Sequence, residues 1–329
     1  ESQTESKYTK RVSVRVDAEI SAQLANTEEQ IETESQGTKK SEKLQQKSIK
    51  FEDFPAEILL KILNFLEINN LLKCSQKSKR IRVICYDDSL WQKINLSKKK
   101  VTTEFLQKVI GYGCKSLNLN EAKIVGTLRL ENESQFTDLD LSGCSARSHV
   151  FGEILRSCHH LQKLTFTQPL DFDTMSAVTT QNGKTLQVLN CWWEYKSGLM
   201  NEIWSAYNLG LPSIRSIIEN CTELKELNFW NGVFYESEDA DYFCGISPAS
   251  NIDYLVNNIS PNIEKFSVQE IDLRGAEFRD EHIKILVSRC TKLKELRFSS
   301  LSITNDSLTH IIDHLSMTLE KLELTNVNI

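Results

Sequence analysis

Gln135-Phe136-Thr137-Asp138-Leu139-Asp140-Leu141-Ser142-Gly143-Cys144 decides the architecture of this 329-residue chain. Leu139 and Leu141 alternate with Asp138, Asp140 and Ser142, the period of a strand with one buried face, and Phe136 adds an apolar position three residues upstream. The frame returns at Leu161/Leu164/Phe166, Leu186/Leu189/Cys191 and Leu224/Leu227/Phe229, then at Ile263/Phe266/Val268, Leu293/Leu296/Phe298 and Leu319/Leu322/Leu324. An imperfect earlier copy lies around Leu117 and Leu119. The two longest spacings imply insertions, near residues 193–212 and 233–252.

Between copies the chain is amphipathic at helical spacing, as over Val150 to Cys158, Ile214 to Cys221 and Ile283 to Cys290. Cys158, Cys221 and Cys290 each stand three residues before the first apolar position. A cysteine recurring at one phase of a repeat reads as a small buried residue rather than a ligand or nucleophile. One strand and one helix per copy predict an α/β solenoid, with parallel strands on a concave face and helices on a convex one.

Because strand side chains alternate, the residues flanking the second and third apolar positions face the concave side. They include Asn190 and Trp192 in one copy and Glu226, Asn228 and Trp230 in the next. If those strands are neighbours, the two Trp sit about 5 Å apart. Exposed aromatic pairs often anchor binding, and long loops leaving a rigid scaffold often carry it. Trp192, Trp230, Asn190, Asn228 and Glu226, with Tyr235 and Tyr242 from the second insertion, are the candidate substrate-binding residues. The alternative is that the Trp pair stacks to fill space.

Upstream, Phe54-Pro55-Ala56-Glu57-Ile58-Leu59-Leu60-Lys61-Ile62-Leu63-Asn64-Phe65-Leu66 reads as a short amphipathic helix. Pro55 suits its first position and Glu57 the positive end of its dipole. Ile58, Ile62 and Phe65 recur at helical spacing, and so do Leu59, Leu63 and Leu66. The apolar surface is wider than one stripe, so the helix is expected to pack inward on one side and bind a partner on the other. The Leu71-Leu72 pair and the late Trp91 complete a run of short helices over 51–97.

This run resembles an F-box, and the repeats after it resemble a leucine-rich-repeat domain, whose period is about 20–29 residues. Phe136 to Cys144 fits the leucine-rich frame at each fixed position, with Phe replacing its first Leu. Lys77 stands where F-boxes usually have a buried Val, and Ile81 where an aromatic is common. The resemblance to F-box/leucine-rich-repeat proteins implies the substrate receptor of an SCF-type ubiquitin ligase, acting in ubiquitin conjugation and protein degradation. By that resemblance it forms no covalent bond itself. A Skp-type adaptor, and through it a cullin, would dock on Pro55, Ile58, Leu59, Ile62, Leu63, Leu66, Leu71, Leu72 and Trp91, and a protein substrate on the concave face. A leucine-rich-repeat scaffold with no ubiquitin role is the alternative.

Composition agrees with this class. A net charge of −6 argues against a general nucleic-acid binder. No apolar run is long enough to span a membrane, and the first residues lack a secretory pattern. Nine scattered cysteines without a CxxC pair suit a reducing compartment, so a cytoplasmic or nuclear chain is expected, with no metal or other cofactor. Residues 1–50 read as a disordered polar tail, 51–97 as the helical module and 98–329 as the solenoid. The sequence begins with Glu1 and ends directly after a strand-like stretch, so it is read as a fragment or as a solenoid without its last cap.

Other motifs are weaker. Asn182-Gly183-Lys184-Thr185 resembles the tail of a phosphate-binding loop but lacks the first Gly, because Val178 holds that place. Gly111-Tyr112-Gly113 lacks the third Gly of a dinucleotide fingerprint. Cys158-His159-His160 has no second cluster at zinc spacing. Lys98-Lys99-Lys100 fits a localisation patch but reads better as a solvated linker.

Overall fold

The computed structural model describes residues 50–130, 132–167, 172–192, 211–230, 249–269, 278–299 and 303–325. The chain divides into the units Glu1–Asp53 and Phe54–Ile329. In the first, a short 3-10 turn spans Phe51–Asp53, and the Asp53 carboxylate accepts from the Lys50 amide at 2.9 Å. The tail expected over 1–50 otherwise lies outside the described residues.

The second unit opens with helices α1 (Ala56–Leu63), α2 (Ile68–Cys74) and α3 (Lys79–Cys85), then a 3-10 turn at Asp88–Trp91. Strand–helix repeats follow. Their strands are β1 (Lys93–Asn95), β3 (Ser116–Asn118), β5 (Asp138–Leu141), β6 (Lys163–Phe166) and β7 (Val188–Trp192). They continue as β8 (Glu226–Trp230), β9 (Lys265–Gln269), β10 (Glu295–Ser299) and β11 (Lys321–Thr325), in one parallel nine-stranded sheet in chain order. A two-stranded parallel ribbon joins β2 (Lys100–Thr102) to β4 (Lys123–Val125). The helices are α4 (Thr103–Gly111), α5 (Ser148–Arg156), α6 (Phe172–Asn182), α7 (Leu211–Asn220), α8 (Ala249–Asn258), α9 (Asp280–Arg289) and α10 (Asn305–Leu315). From α5 onward each packs on the next, as expected when every repeat buries its apolar face against its neighbours.

The register follows the repeat frame. Leu139, Leu164, Leu189, Leu227, Phe266, Leu296 and Leu322 lie in one row, and Leu141, Phe166, Cys191, Phe229, Val268, Phe298 and Leu324 in another. Both rows are buried up to β10. One hydrogen-bond rule holds the strands in step. The Gln92 carbonyl accepts from the amides of both Lys115 and Ser116, and the Lys115 carbonyl from those of Thr137 and Asp138. The rule repeats unbroken to Lys294, whose carbonyl accepts from Glu320 and Lys321 at 2.8 and 2.9 Å. Such sharing satisfies strand-entry donors that would otherwise be lost in the interior.

Three differences from the sequence reading stand out. The sheet starts at β1, inside the segment assigned to the helical module. Trp91, Ile94 and Leu96 repeat the spacing of Phe136, Leu139 and Leu141, so Trp91 is both the last residue of the helical run and the first core position of the sheet. The lysine run is not a linker: the Lys98 amide donates to the Asn120 carbonyl, Lys98 adopts φ 59°, and Lys100 enters β2. Helices α7 and α8 begin at 211 and 249, within the limits given to the insertions.

Asn182 shows why its motif is not a phosphate loop. Its buried amide ends α6 by accepting from the Leu161 N–H at 2.8 Å and donating to the carbonyls of Cys158 and Val178, both at 2.9 Å. A Cβ on Gly183 would collide with the Asn220 carbonyl of the next repeat, so glycine here permits close packing of backbones. Replacing Asn182 with Ala leaves the Leu161 N–H without its acceptor. We expect a loss of about 1–3 kcal/mol, read as a lower urea midpoint at unchanged slope.

Candidate interaction surfaces

In α1 the two apolar rows part company. Leu59 and Leu63 are 0% and 1% exposed and enter the core, whereas Ile58 is 41% exposed and Phe65, in the turn that follows the helix, 69%. Ile62, Leu66 and Leu72 are half-buried, and Pro55 is exposed. A helix of two turns cannot bury both rows against so small a bundle, so one row stays in solvent. This corrects part of the expected adaptor contact set. Leu59, Leu63, Leu71 and Trp91 are interior side chains; they hold the shape of the face rather than forming it. Pro55, Ile58, Ile62, Leu66 and Leu72 remain accessible to differing degrees.

Two outward residues escaped the contact set. Phe65 continues the Ile58–Ile62 row, and Val83, on α3, is 74% exposed. Ile81, Ile84 and Cys85 are spaced as one helical face and are buried, so the same periodicity marks Val83 as outward. Lys77 lies exposed in the turn between α2 and α3, where its charge meets no burial cost, while Ile81 enters the core at 2% exposure. Ser78 caps α3 by accepting from the Ile81 amide at 3.2 Å. Arg80 donates to the Phe54 carbonyl at 2.8 Å and Arg82 to the Ser75 carbonyl at 3.1 Å, tying α3 to the chain before α1 and to the end of α2.

Trp91 joins this bundle to the sheet. Its Nε1–H donates to the Cys85 carbonyl at 2.9 Å. Its ring stacks on Tyr86 at 5.9 Å and lies against Tyr112 at 4.6 Å. Two residues on, the strand β1 has begun.

The polar face of the sheet carries the second set of candidates. Trp192 pairs directly with Trp230 across β7 and β8, as does Asn190 with Asn228 and Val188 with Glu226. The Trp side chains, and Tyr235 and Tyr242 altogether, lie outside the described residues. The Asn228 amide donates to Asn190 Oδ1 at 2.7 Å, and the Asn190 amide to Thr165 Oγ1 at 3.2 Å, forming a directed ladder over β6–β8. Thr165 and Ser267 were expected on an open face, yet are 6% and 7% exposed; each stands between longer side chains in the register.

Glu226 belongs to an ionic lattice rather than to an open surface. Lys265 reaches Glu226 at 3.2 Å and Glu295 at 3.3 Å, and Arg297 reaches Glu295 at 2.6 Å and Glu323 at 3.7 Å. The hydrogen bond to Glu226 leads in raising the Lys265 ammonium above its ordinary range. Burial pushes the Glu295 carboxyl up, but hydrogen bonds and charge from Lys265 and Arg297 outweigh it and hold the group low. Cys158, Cys221 and Cys290 have burial as their leading influence, which carries them to about 11, 12 and 12 and leaves little thiolate for nucleophilic chemistry.

Residues 51–97 match the family model for F-box-like domains, which implies a Skp-type adaptor as a partner. No curated protein matches the chain. Among the described residues no helix is long and apolar enough to cross a membrane.

The two rows of α1 should respond differently to a charge. Ile58→Asp and Phe65→Asp are expected to change stability by no more than about 0.5 kcal/mol, whereas Leu59→Asp buries a carboxylate and should cost more than about 3 kcal/mol. Thermal unfolding followed by circular dichroism separates the outcomes.

Proposed function

We propose that this chain is the substrate-recognition subunit of an SCF-type ubiquitin ligase. Its F-box-like helices would hold a Skp-type adaptor and, through it, a cullin. A leucine-rich-repeat face would hold a protein target, in the cytoplasm or nucleus. One observation carries the reading: a segment matching an F-box-like domain keeps Ile58 and Phe65 in solvent, on either side of a half-buried Ile62. An exposed apolar row beside a complete core is a docking surface by physical expectation.

On this reading the chain performs no covalent chemistry. Its contribution is proximity: holding the target near the conjugating enzyme raises the effective concentration of target lysines. A flexible joint would dilute that effect, and here the joint is the buried Trp91 followed at once by the Gln92 carbonyl that starts the sheet's shared hydrogen bonds.

The adaptor is tested first. Purified Skp-type adaptor should bind the full chain, and Ile58→Asp/Phe65→Asp should weaken binding at least about 100-fold, the loss of two apolar anchors worth roughly 2.7 kcal/mol together. Leu63→Asp is unsuitable as a control because Leu63 is core, and its loss of binding would report unfolding. Intact binding by the double variant would refute docking through this row. If adaptor binds but no cullin complex transfers ubiquitin to captured proteins, the scaffold reading replaces the ligase reading.

The strand face is tested separately. Trp192→Ala/Trp230→Ala should reduce the proteins captured by the full chain, compared by quantitative mass spectrometry, while adaptor affinity stays within about twofold. An unchanged set of captured proteins would remove the Trp pair from recognition.

A further inference from the structure

Among the described residues, charges that face each other across paired strands are opposite, with one exception. Glu226, Lys265, Glu295 and Lys321 alternate in sign along one row, and Asp138 stands beside Lys163. Just before the ribbon strands β2 and β4, Lys98 holds Glu121 at 3.5 Å. The ribbon itself is the exception. Its register sets Lys100 directly against Lys123, and both are exposed. Like charges facing across a strand pair oppose folding, and a local rule broken without a structural return marks a place where function is expected.

The surroundings do not relieve the pair. Among the described residues, neither Lys100 nor Lys123 makes an ion pair or hydrogen bond through its side chain, and neither does Arg147. Ser145 joins the ribbon beside Lys123, and Arg147 follows two residues on in extended backbone, which adds a third exposed cation to the same outer side. The neighbouring acids are taken: Glu121 by Lys98, and Glu104 by the Thr102 hydroxyl and its own amide. Val101 and Ile124 point inward at 3% and 6% exposure and anchor the ribbon, while Val125 lies 40% exposed on the cationic side. The same sign extends further. Between residues 61 and 130 fourteen Lys and Arg stand against five Asp and Glu, in a chain whose net charge is −6, so the remainder is strongly acidic.

We infer that the outer side of the β2–β4 ribbon docks an acidic segment of a partner protein, in which carboxylates flank an apolar side chain that covers Val125. A carboxylate between Lys100 and Lys123 turns a repulsive pair into a bridged one, and a second meets Arg147. Nucleic acid fits less well. A long polyanion leaving a ribbon of three cations would meet the acidic remainder of the chain, and its phosphates would leave Val125 uncovered. The inference does not rest on the ligase reading, because the cations and Val125 stand as they do whatever the F-box-like helices bind.

The probe is a synthetic heptapeptide with Ile at its centre and three Glu on each side. It is titrated into the isotope-labelled full chain at low ionic strength, beside the same peptide with Gln in place of Glu. The acidic peptide should shift the amide resonances of residues 100–102, 123–125 and 145–147 and bind at least about tenfold more tightly than the neutral one, an advantage lost in about 0.5 M salt. Lys100→Gln/Lys123→Gln should remove that preference and, because it removes a repulsion, leave the unfolding temperature unchanged or higher. Lys77→Gln/Lys79→Gln makes the same change in net charge outside the ribbon and should keep the preference. Shifts that miss the ribbon, equal binding of the two peptides, equal losses in the two double variants, or a lower unfolding temperature for Lys100→Gln/Lys123→Gln would overturn the inference. Tighter binding of an oligonucleotide of equal charge to the same residues would overturn it too and make the ribbon a nucleic-acid site.

Discussion

A single carbonyl at each strand entry, shared between two amides of the next repeat, is the interaction on which the rest of this structure depends. It sets the register of the strands of the nine-stranded sheet and starts at Gln92, one residue after the helical bundle ends. Because strand side chains alternate, a slip of one residue would turn the leucine rows outward and the Asn190–Asn228 pair inward. The shared carbonyl therefore fixes which residues the strand face can offer, and at Gln92 it fixes the bundle to that face as well.

That arrangement divides the strand face into two regimes. Over β6–β8 the middle row is neutral, and the Thr165–Asn190–Asn228 ladder uses part of its hydrogen-bonding capacity internally. From β8 to β11 the side chains are charged but mutually compensated, so a charged ligand there would have to compete with existing partners. Exposed ion pairs contribute little stability individually, so the lattice matters more for which strands can lie side by side than for the energy of the fold.

Much of this was legible in the sequence because the repeat obliges it to be. The positions from Phe136 to Leu324 recur at one spacing, and up to β10 a residue buried in one copy is buried in the next by the same geometry. What escaped sequence reading was whatever one residue does for two neighbours at once. Trp91 served the pattern of the helical run and so was not counted as the first position of the sheet, although Ile94 and Leu96 follow it at the repeat's own spacing. Leu59, Leu63 and Leu71 were placed at an interface because a motif names residues without saying which face they occupy; only the packing of α1 against α3 separates them from Ile58 and Phe65. Glu226 was read as open because an ion pair to Lys265 is a relation between repeats thirty-nine positions apart, invisible within either copy.

The dual position of Trp91 has a mechanical consequence. A bundle of three short helices is too small to be stable alone, and its apolar content is already split between a buried and an exposed row. The indole completes the bundle's core through Cys85 and Tyr86 while serving as the first core residue of the sheet, so the bundle draws stability from the repeats. That support is what allows α1 and the turn after it to leave Ile58 and Phe65 in solvent without the helices coming apart. An isolated bundle would have to bury that row to persist. The joined one can keep it exposed, and a docking surface held ready on a rigid body loses less entropy on binding than one that must first assemble.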